Sequence, residues 1–536
     1  MNMIKKTVAA AMIGVLALGL IGCGNTQTEQ ETPSVTDFTL TSVSETLDRS
    51  TIFTERDLSA EYDENVYTVT LADGSTSSDC ESVNISGDTV TITDTGTYKI
   101  SGTLTNGKIR VEAQDDDKIQ LVLNNVQITN DNDSAIYVEN AKKVFVTAAE
   151  GTTSSLTNAG EFTGESADGV IYSKDDLTLN GTGILNISTQ YGHGIVCNDD
   201  LKICSTNITV NAKNHAVKAS NSISISGAEL ELISGEDALH CDNDEDEEKG
   251  CIYLTGSTIL INSQDDAIHS SNYIVIDDGK TDIQNCNEGI EATKIEINGG
   301  EVSVVSTDDG FNASTGSSSE NTPNEKPVPT NNSQSIPNSD NTEQGQLRAK
   351  NNMGMTDTDE GCHIIIAGGT VSIDAGGDGL DTNGYLLQTG GDVTVYGPEN
   401  SGNGAIDYGI ASKITGGTIV AFGMSGMAES FDDCSTQGSI LAVFDEETSG
   451  EFTLKSSLGK ELISSECTKK YNCVTVSTPD IKAGTRYTLQ AGEQTKKIKM
   501  TSTVYKDSSA SIGGKINRGA KNFNEAKNNN QPPQEN

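Results

Sequence analysis

The sequence predicts an all-β fold: a right-handed parallel β-helix of about 22 residues per coil, closed by a C-terminal β-rich cap. Three observations predict it. A short motif recurs at that spacing, and short strands of alternating apolar and polar residues lie between Gly, Asn and Asp turns. The composition, 54 Gly, 9 Pro, no Trp and 34% hydrophobic in 536 residues, suits a narrow repeated core and not a wide globular one.

The motif is a carboxylate or histidine, then Gly or Ala, then an apolar residue. It reads His193-Gly194-Ile195, His215-Ala216-Val217, Asp237-Ala238-Leu239, Asp266-Ala267-Ile268, Glu288-Gly289-Ile290, Asp309-Gly310-Phe311 and Asp378-Gly379-Leu380. Its apolar members are spaced by 22, 22, 29, 22, 21 and 69 residues. The acidic stretch from Asp242 to Lys249 supplies the extra seven, and an insertion rich in Ser, Asn, Thr and Pro supplies the longest gap. A second anchor, Gly followed by a strand, recurs at Gly299-Gly300, Gly368-Gly369 and Gly390-Gly391, and a third short strand such as Tyr273-Ile274-Val275-Ile276 completes each coil. Each coil buries some five or six apolar side chains at about 1.5–3 kcal/mol apiece, too little to order a coil alone. Stacking makes the fold, and right-handed winding follows from the general preference of parallel crossovers.

Organisation follows from where the period starts and stops. Lys5 and Lys6 precede the apolar run from Val8 to Ile21, so residues 1–22 read as a signal peptide, and Leu20-Ile21-Gly22-Cys23 resembles the lipobox of bacterial lipoproteins. That resemblance implies lipidation of Cys23, an extracytoplasmic location and a membrane anchor. Residues 23–50 read as a tether, 51–430 as the β-helix with a disordered insertion over 314–360, 431–505 as a β-rich cap and 506–536 as a disordered tail. Ten cysteines remain besides Cys23, an even number where disulfides are permitted. Cys197 and Cys241 nevertheless fall where other coils have Ala219, Ser270, Ala292 and Ala313, and so read as small core residues.

With 35 Lys+Arg against 78 Asp+Glu the formal charge is −43, which excludes nucleic acid as a partner. Part of that charge is ordered. Coils stacked about 4.8 Å apart turn a 22-residue repeat into rows on one face. One row holds Asp237, Asp266, Glu288, Asp309 and Asp378. A second holds Lys218, His240, His269, Glu291, Asn312 and Asp381, and a third includes Asp265 and Asp308. Carboxylates this close need protons or a metal. With oxygen donors outside the cytoplasm, Ca²⁺ is the expected metal. The competing reading is that these Asp residues cap turns. His193 and His215 read as stacked turn histidines, and His240 with His269 is the one pairing that would suit a transition metal.

With the lipobox, Phe53-Thr54-Glu55-Arg56-Asp57-Leu58-Ser59, the Ser173-Lys174-Asp175-Asp176-Leu177 turn and the Asp-Gly/Ala-apolar coils, the chain resembles, over about residues 50–500, a family of bacterial secreted carbohydrate-binding proteins. The family is similar to pectate lyases in fold and is associated with binding cellulose and polygalacturonate without cleavage. The resemblance implies calcium on Asp265, Asp266, Glu288, Glu291, Asp308, Asp309, Asp378 and Asp381, to which the row adds Asp237. Lys218, His240, His269, Lys294 and Tyr273 are expected ligand contacts. No arginine lies between Arg110 and Arg348, so a pectate-lyase-like reaction would need Lys218 or Lys294 as base. A polygalacturonase reading fails on order, because Gly192-His193-Gly194 precedes Asp265-Asp266 and no Arg-Ile-Lys motif is present. A surface adhesin is the third class. The expected function is therefore calcium-assisted, non-catalytic binding of an acidic or neutral polysaccharide.

Overall fold

The computed structural model describes residues 37–62, 66–163, 167–243, 245–315 and 358–510. Cys23 and the lipobox lie outside these residues, as do most of the insertion and the tail. Strands of successive coils stack in parallel into three faces. The first face carries the recurring motif, in strands such as His193–Cys197, Val217–Ala219, Leu239–Cys241, Phe311–Ala313 and Leu380–Thr382. The second includes Asp176–Asn180, Asp200–Cys204, Ser222–Ser226 and His363–Ile366. The third includes Glu301–Ser306, Thr370–Ala375, Asp392–Tyr396 and Thr418–Gly423. The result is a β-solenoid.

Its core is the column of motif apolar residues and their equivalents on the other faces. Ile195, Val217, Leu239, Ile268, Ile290, Phe311, Leu380 and Ile406 are all at most 2% exposed. Cys197 and Cys241 are in register with Ala219 and Ser270 and are wholly buried, as expected of small core residues. The ten cysteines from Cys80 to Cys473 are free thiols. At the second anchor, Gly300, Gly369, Gly391 and Gly417 repeat φ values of +79°, +79°, +75° and +81°. A Cβ on Gly368 would lie 2.2 Å from the Asn298 carbonyl oxygen. Left-handed backbone and coil-to-coil closeness together demand the Gly-Gly pairs.

Residues 37–58 lie along the second face and run against the advance of the coils. Three one-turn helices, α1 (Val43–Thr46), α2 (Arg49–Ile52) and α3 (Glu55–Leu58), form this strap. Lys413 bonds Asp37, and Phe38 packs on Tyr385 with ring centroids 4.9 Å apart. Glu296, fully buried, accepts the Val43 and Ser44 amides at 2.6 and 2.8 Å and the His363 ring nitrogen at 3.1 Å. At the far end Asp57, also fully buried, meets Lys143 at 2.8 Å, Lys202 at 3.3 Å and the Thr178 hydroxyl at 2.8 Å. Burial alone would raise the Asp57 pKa, yet these partners hold it well below the usual carboxylate range.

The solenoid ends on antiparallel strands. Thr418–Gly423 pairs with Glu461–Ser477, itself one arm of a hairpin with Ser439–Ser456, and Arg486–Ala491 and Gln494–Lys499 extend the sheet. A second core, including Val420, Phe422, Phe452, Tyr471 and Tyr487, fills the cap. The last coil is thereby covered. Among the described residues no helix is long and apolar enough to cross a membrane.

Candidate functional site

Pairing across the first face establishes the rows residue by residue. Lys218, His240, His269, Glu291, Asn312 and Asp381 succeed one another in register, and Asp407 follows Asp381. Two positions before each apolar residue stand His193, His215, Asp237, Asp266, Glu288, Asp309 and Asp378. Many of these side chains perform the same local task, accepting the backbone N–H of the equivalent residue one coil on. His193 Nδ1 accepts from His215 and His215 Nδ1 from Asp237, both at 3.1 Å. Asp237 accepts from Asp266 at 3.0 Å, Asp266 from Glu288 at 3.3 Å and Asp309 from Asp378 at 2.6 Å. Asp378 accepts from Gly404. Turn capping therefore occupies one oxygen of each of these aspartates; the second oxygen of Asp237 meets His240 and that of Asp266 faces His269.

The rows divide into two chemically different halves. In the first half four imidazoles stack: His193 on His215 at 5.0 Å between centroids, His215 on His240 at 4.2 Å and His240 on His269 at 5.1 Å. A ring whose Nδ1 accepts an amide hydrogen carries its own proton on Nε2. That nitrogen lies 3.5 Å from Asp168 in His193 and 3.4 Å from Glu236 in His215. Both rings are thus committed as donors, and His193, His215 and Glu236, although close enough to share an ion, present no free ring lone pair. His240 Nδ1 meets Asp237 at 2.7 Å and His269 Nδ1 meets Glu291 at 2.8 Å. Burial and then the charge of His269 push His240 down to about 3. Burial would also lower His269, but the Asp266 and Glu291 carboxylates outweigh it and hold the ring up to about 11. Glu291 is correspondingly lowered against its own burial. His269 is the charged imidazole of this half, with Lys218 in the same row beside His240.

The second half has carboxylates without such a partner. Burial first, and neighbouring carboxylates second, push Glu288 up to about 8, Asp309 and Asp378 to about 7 and Asp381 to about 8. Among the described residues no Lys, Arg or His lies within ion-pair distance of these four. Asn312 donates to Glu288 at 2.9 Å. At Gly377, between the Asp308-Asp309 and Asp378 turns, an added Cβ would lie 2.3 Å from Asp308 Oδ1 and 2.3 Å from Asp309 Oδ1. Two carboxylate oxygens converge there, the Asp309 oxygen being the one that also accepts the Asp378 N–H. An all-oxygen donor set, compressed and lacking a cationic neighbour, fits a hard divalent ion.

The other expected site residues are distributed as follows. Asp265 is exposed, and Asp237, Asp265 and Asp266 each offer an oxygen within 4.8 Å of the others. Lys218 stands beside His240 in the row. Tyr273 and Lys294 stand apart, in register with Cys251 and His363 on the second face. Sequence reasoning missed Asp407, because its coil reads Ala405-Ile406-Asp407 after Gly404 and lacks the leading carboxylate. It also missed Asp168 and Glu236, the histidine partners, and the grouping of Asp176, Asp199 and Asp200 across two coils. For that last group, acidic residues at the same turn in successive coils were the available signal.

The fold and these rows define an extended all-β solenoid that presents an acidic ladder flanked by imidazoles. Residues 86–321 match the model of a family described as carbohydrate-binding domain-containing protein. A protein of that description from Acetivibrio thermocellus is 32% identical over 195 residues, covering 35% of this chain and 68% of that one. A solved structure of the polysaccharide lyase-like protein from C. thermocellum is 32% identical, covers 45% of this chain and 94% of its own, and superposes with a TM-score of 0.39. The chain belongs to the family of carbohydrate-binding domain-containing proteins.

Proposed function

We propose that this protein is a non-catalytic binder of plant-type polysaccharide, polygalacturonate or pectin on the one hand or cellulose on the other, held at the cell surface through lipidated Cys23. Calcium on the ladder is the working ion. The observation that carries this reading is the carboxylate half of the rows, where Asp308 and Asp309 converge over Gly377 beside raised Glu288, Asp378 and Asp381, which have no Lys, Arg or His at ion-pair distance among the described residues. Bound there, calcium would neutralise the ladder and present open coordination positions to uronate carboxylates, which is how an acidic protein can hold an acidic polymer. Asp308, Asp309, Asp378, Asp381 and Glu288 would hold it. Asp237, Asp265, Asp266 and Glu291 form a second acidic group whose charge His269 already offsets in part. Right-handed winding is part of the same reading, because parallel crossovers overwhelmingly take that hand.

Lys218 and Lys294 are poorly arranged for lyase chemistry. Lys218 is four coils from Asn312, and Lys294 belongs to another face. The test is retention on polygalacturonate and on cellulose with and without chelator, while the absorbance of unsaturated uronate is followed. Retention on polygalacturonate that is lost on chelation is expected, with flat absorbance. Growing absorbance would overturn the non-catalytic reading, and chelator-resistant retention would overturn the calcium bridge.

A further inference from the structure

The cap carries a surface that the acidic rows do not use. Its long hairpin turns at Ser456–Lys460, and Leu458 at the tip is 95% exposed, whereas no other large apolar side chain among the described residues exceeds 47%. Around it the sign of the protein's charge reverses. Lys455 pairs in register with Thr488, Thr488 with Lys497 and Arg486 with Lys499. Tyr487, Leu489 and Ile498 face the cap core. Lys455, Arg486, Lys497 and Lys499 therefore share the outward face at the tip end of the sheet.

Lys460 sits in the turn itself and Lys482 in the loop that leads to Arg486. Lys455 and Lys460 have exposed partners, Glu461 at 3.6 Å and Asp480 at 2.9 Å. Arg486, Lys482, Lys497 and Lys499 make no ion pair among the described residues. In a chain with a formal charge of −43, so concentrated a cationic face is matched to an anionic surface by charge.

A second observation concerns position. The strap delivers Asp37 to Lys413 and Phe38 to Tyr385, in the last coils before the cap. Whatever precedes residue 37 therefore departs from the cap end of the solenoid. Even fully extended, the fourteen residues from 24 to 37 reach only about 50 Å, so an anchor at Cys23 would keep this end nearest the bilayer.

We propose that the hairpin tip docks the cap on an anionic lipid surface, with Leu458 entering the headgroup–acyl boundary and Lys455, Arg486, Lys497 and Lys499 engaging lipid phosphates. An aliphatic side chain gains by leaving water for acyl chains, while a polar glycan offers it no such medium. The cap would then stand on the membrane and the coils project away from it, exposing the ladder. The orientation argument rests on the surface-anchored reading, but the docking test uses neither Cys23 nor calcium.

The test is co-sedimentation of the chain from Gly24 to Asn536, in chelator and about 0.1 M NaCl, with phosphatidylcholine vesicles and with vesicles containing about 30% phosphatidylglycerol. Binding to the anionic vesicles alone is expected, and it should fall steeply in about 0.5 M NaCl. Lys497→Ala and Lys499→Ala should each lower partition roughly fivefold, and Leu458→Ser about tenfold. All three positions are exposed, and circular dichroism checks that each variant is folded. Equal binding to both vesicle types, no binding to either, or binding indifferent to these variants would overturn the proposal. So would variants that lose polygalacturonate while keeping vesicles, which would make the face a glycan contact.

Discussion

If calcium occupies the ladder as proposed, removing it should make the stability of this fold depend on pH, with a sign set by the carboxylate half of the ladder. Consider the chelator-treated protein between about pH 6.5 and 8.5. Folded, Glu288 and Asp381 keep their protons up to about 8, whereas the unfolded chain has lost both by about pH 5. The native state then binds more protons than the unfolded one, so stability falls as pH rises. From pH 6.5 to 8 each group gives up about 1.4 kcal/mol per unit, roughly 2 kcal/mol. Both share one field with Asp309 and Asp378 and titrate as a set, so about 2–4 kcal/mol is expected in all. His269, held up to about 11, adds a loss of the same sign above its unfolded value. His215 and His240, both lowered, would add the opposite slope only below about pH 6.5, hence the window. Saturating calcium takes over the role of the carboxyl protons but leaves His269 unchanged. The calcium-minus-chelator difference in guanidinium midpoint, followed by far-UV circular dichroism, should therefore grow with pH. A difference that is the same at both ends of the window, or a chelator series that rises with pH, would refute the assignment.

Three further outcomes follow from single contacts. Asp57→Ala strands Lys143 and Lys202 beneath the strap and should cost about 3–5 kcal/mol locally, read as proteolytic cutting within residues 37–58 while the solenoid stays intact. Gly377→Ala places a methyl group against the Asp308 and Asp309 oxygens and 2.8 Å from the Asp308 carbonyl carbon; calcium titration calorimetry should show binding on this half lost, and thermal unfolding in chelator should show a lowered midpoint. Gly369→Ala forces a φ of +79° on a residue with a side chain and presses it on Gly300; a loss of at least about 1–2 kcal/mol is expected from thermal unfolding.

What the sequence made legible was whatever repeats. Ile195, Val217 and Leu239 share a period, so their stacking, the buried Cys197 and Cys241 beside them and the rows on the outer face are all legible in the spacing. Contacts made once were hidden. Nothing periodic announces that Asp57 meets Lys143, Thr178 and Lys202 across 86 to 145 residues, or that Glu296 receives the amides of α1. Tyr273 and Lys294 follow the ladder closely in sequence, yet a coil turns a corner within three residues and carries them to another face. Asp407 escaped because its coil kept the position and changed the motif.

The two halves of the ladder also differ in how they would receive the proposed metal. Every coil faces the same difficulty, a carboxylate about 4.8 Å from the next. From Asp237 to Glu291 the chain answers it in part internally, by inserting His240 and His269 into the row and letting His269 stay charged between Asp266 and Glu291. Burial first, and neighbouring carboxylates after it, still raise Asp237 and Asp266 to about 7. From Glu288 to Asp381 the same positions hold Asn312 and Asp381, and no imidazole or lysine takes their place. Had the rows served only to cap turns, a neutral Asn would have capped as well, and Asp378 beside Asp309 would be a cost without a return. Retaining carboxylates where their repulsion is least relieved makes sense if a cation from outside completes the row. Asp309→Asn with Asp381→Asn should accordingly raise the stability of the chelator-treated protein at about pH 8 while abolishing calcium-dependent retention on polygalacturonate. A double variant that is less stable in chelator would mean that the carboxylates serve the fold and not the ion.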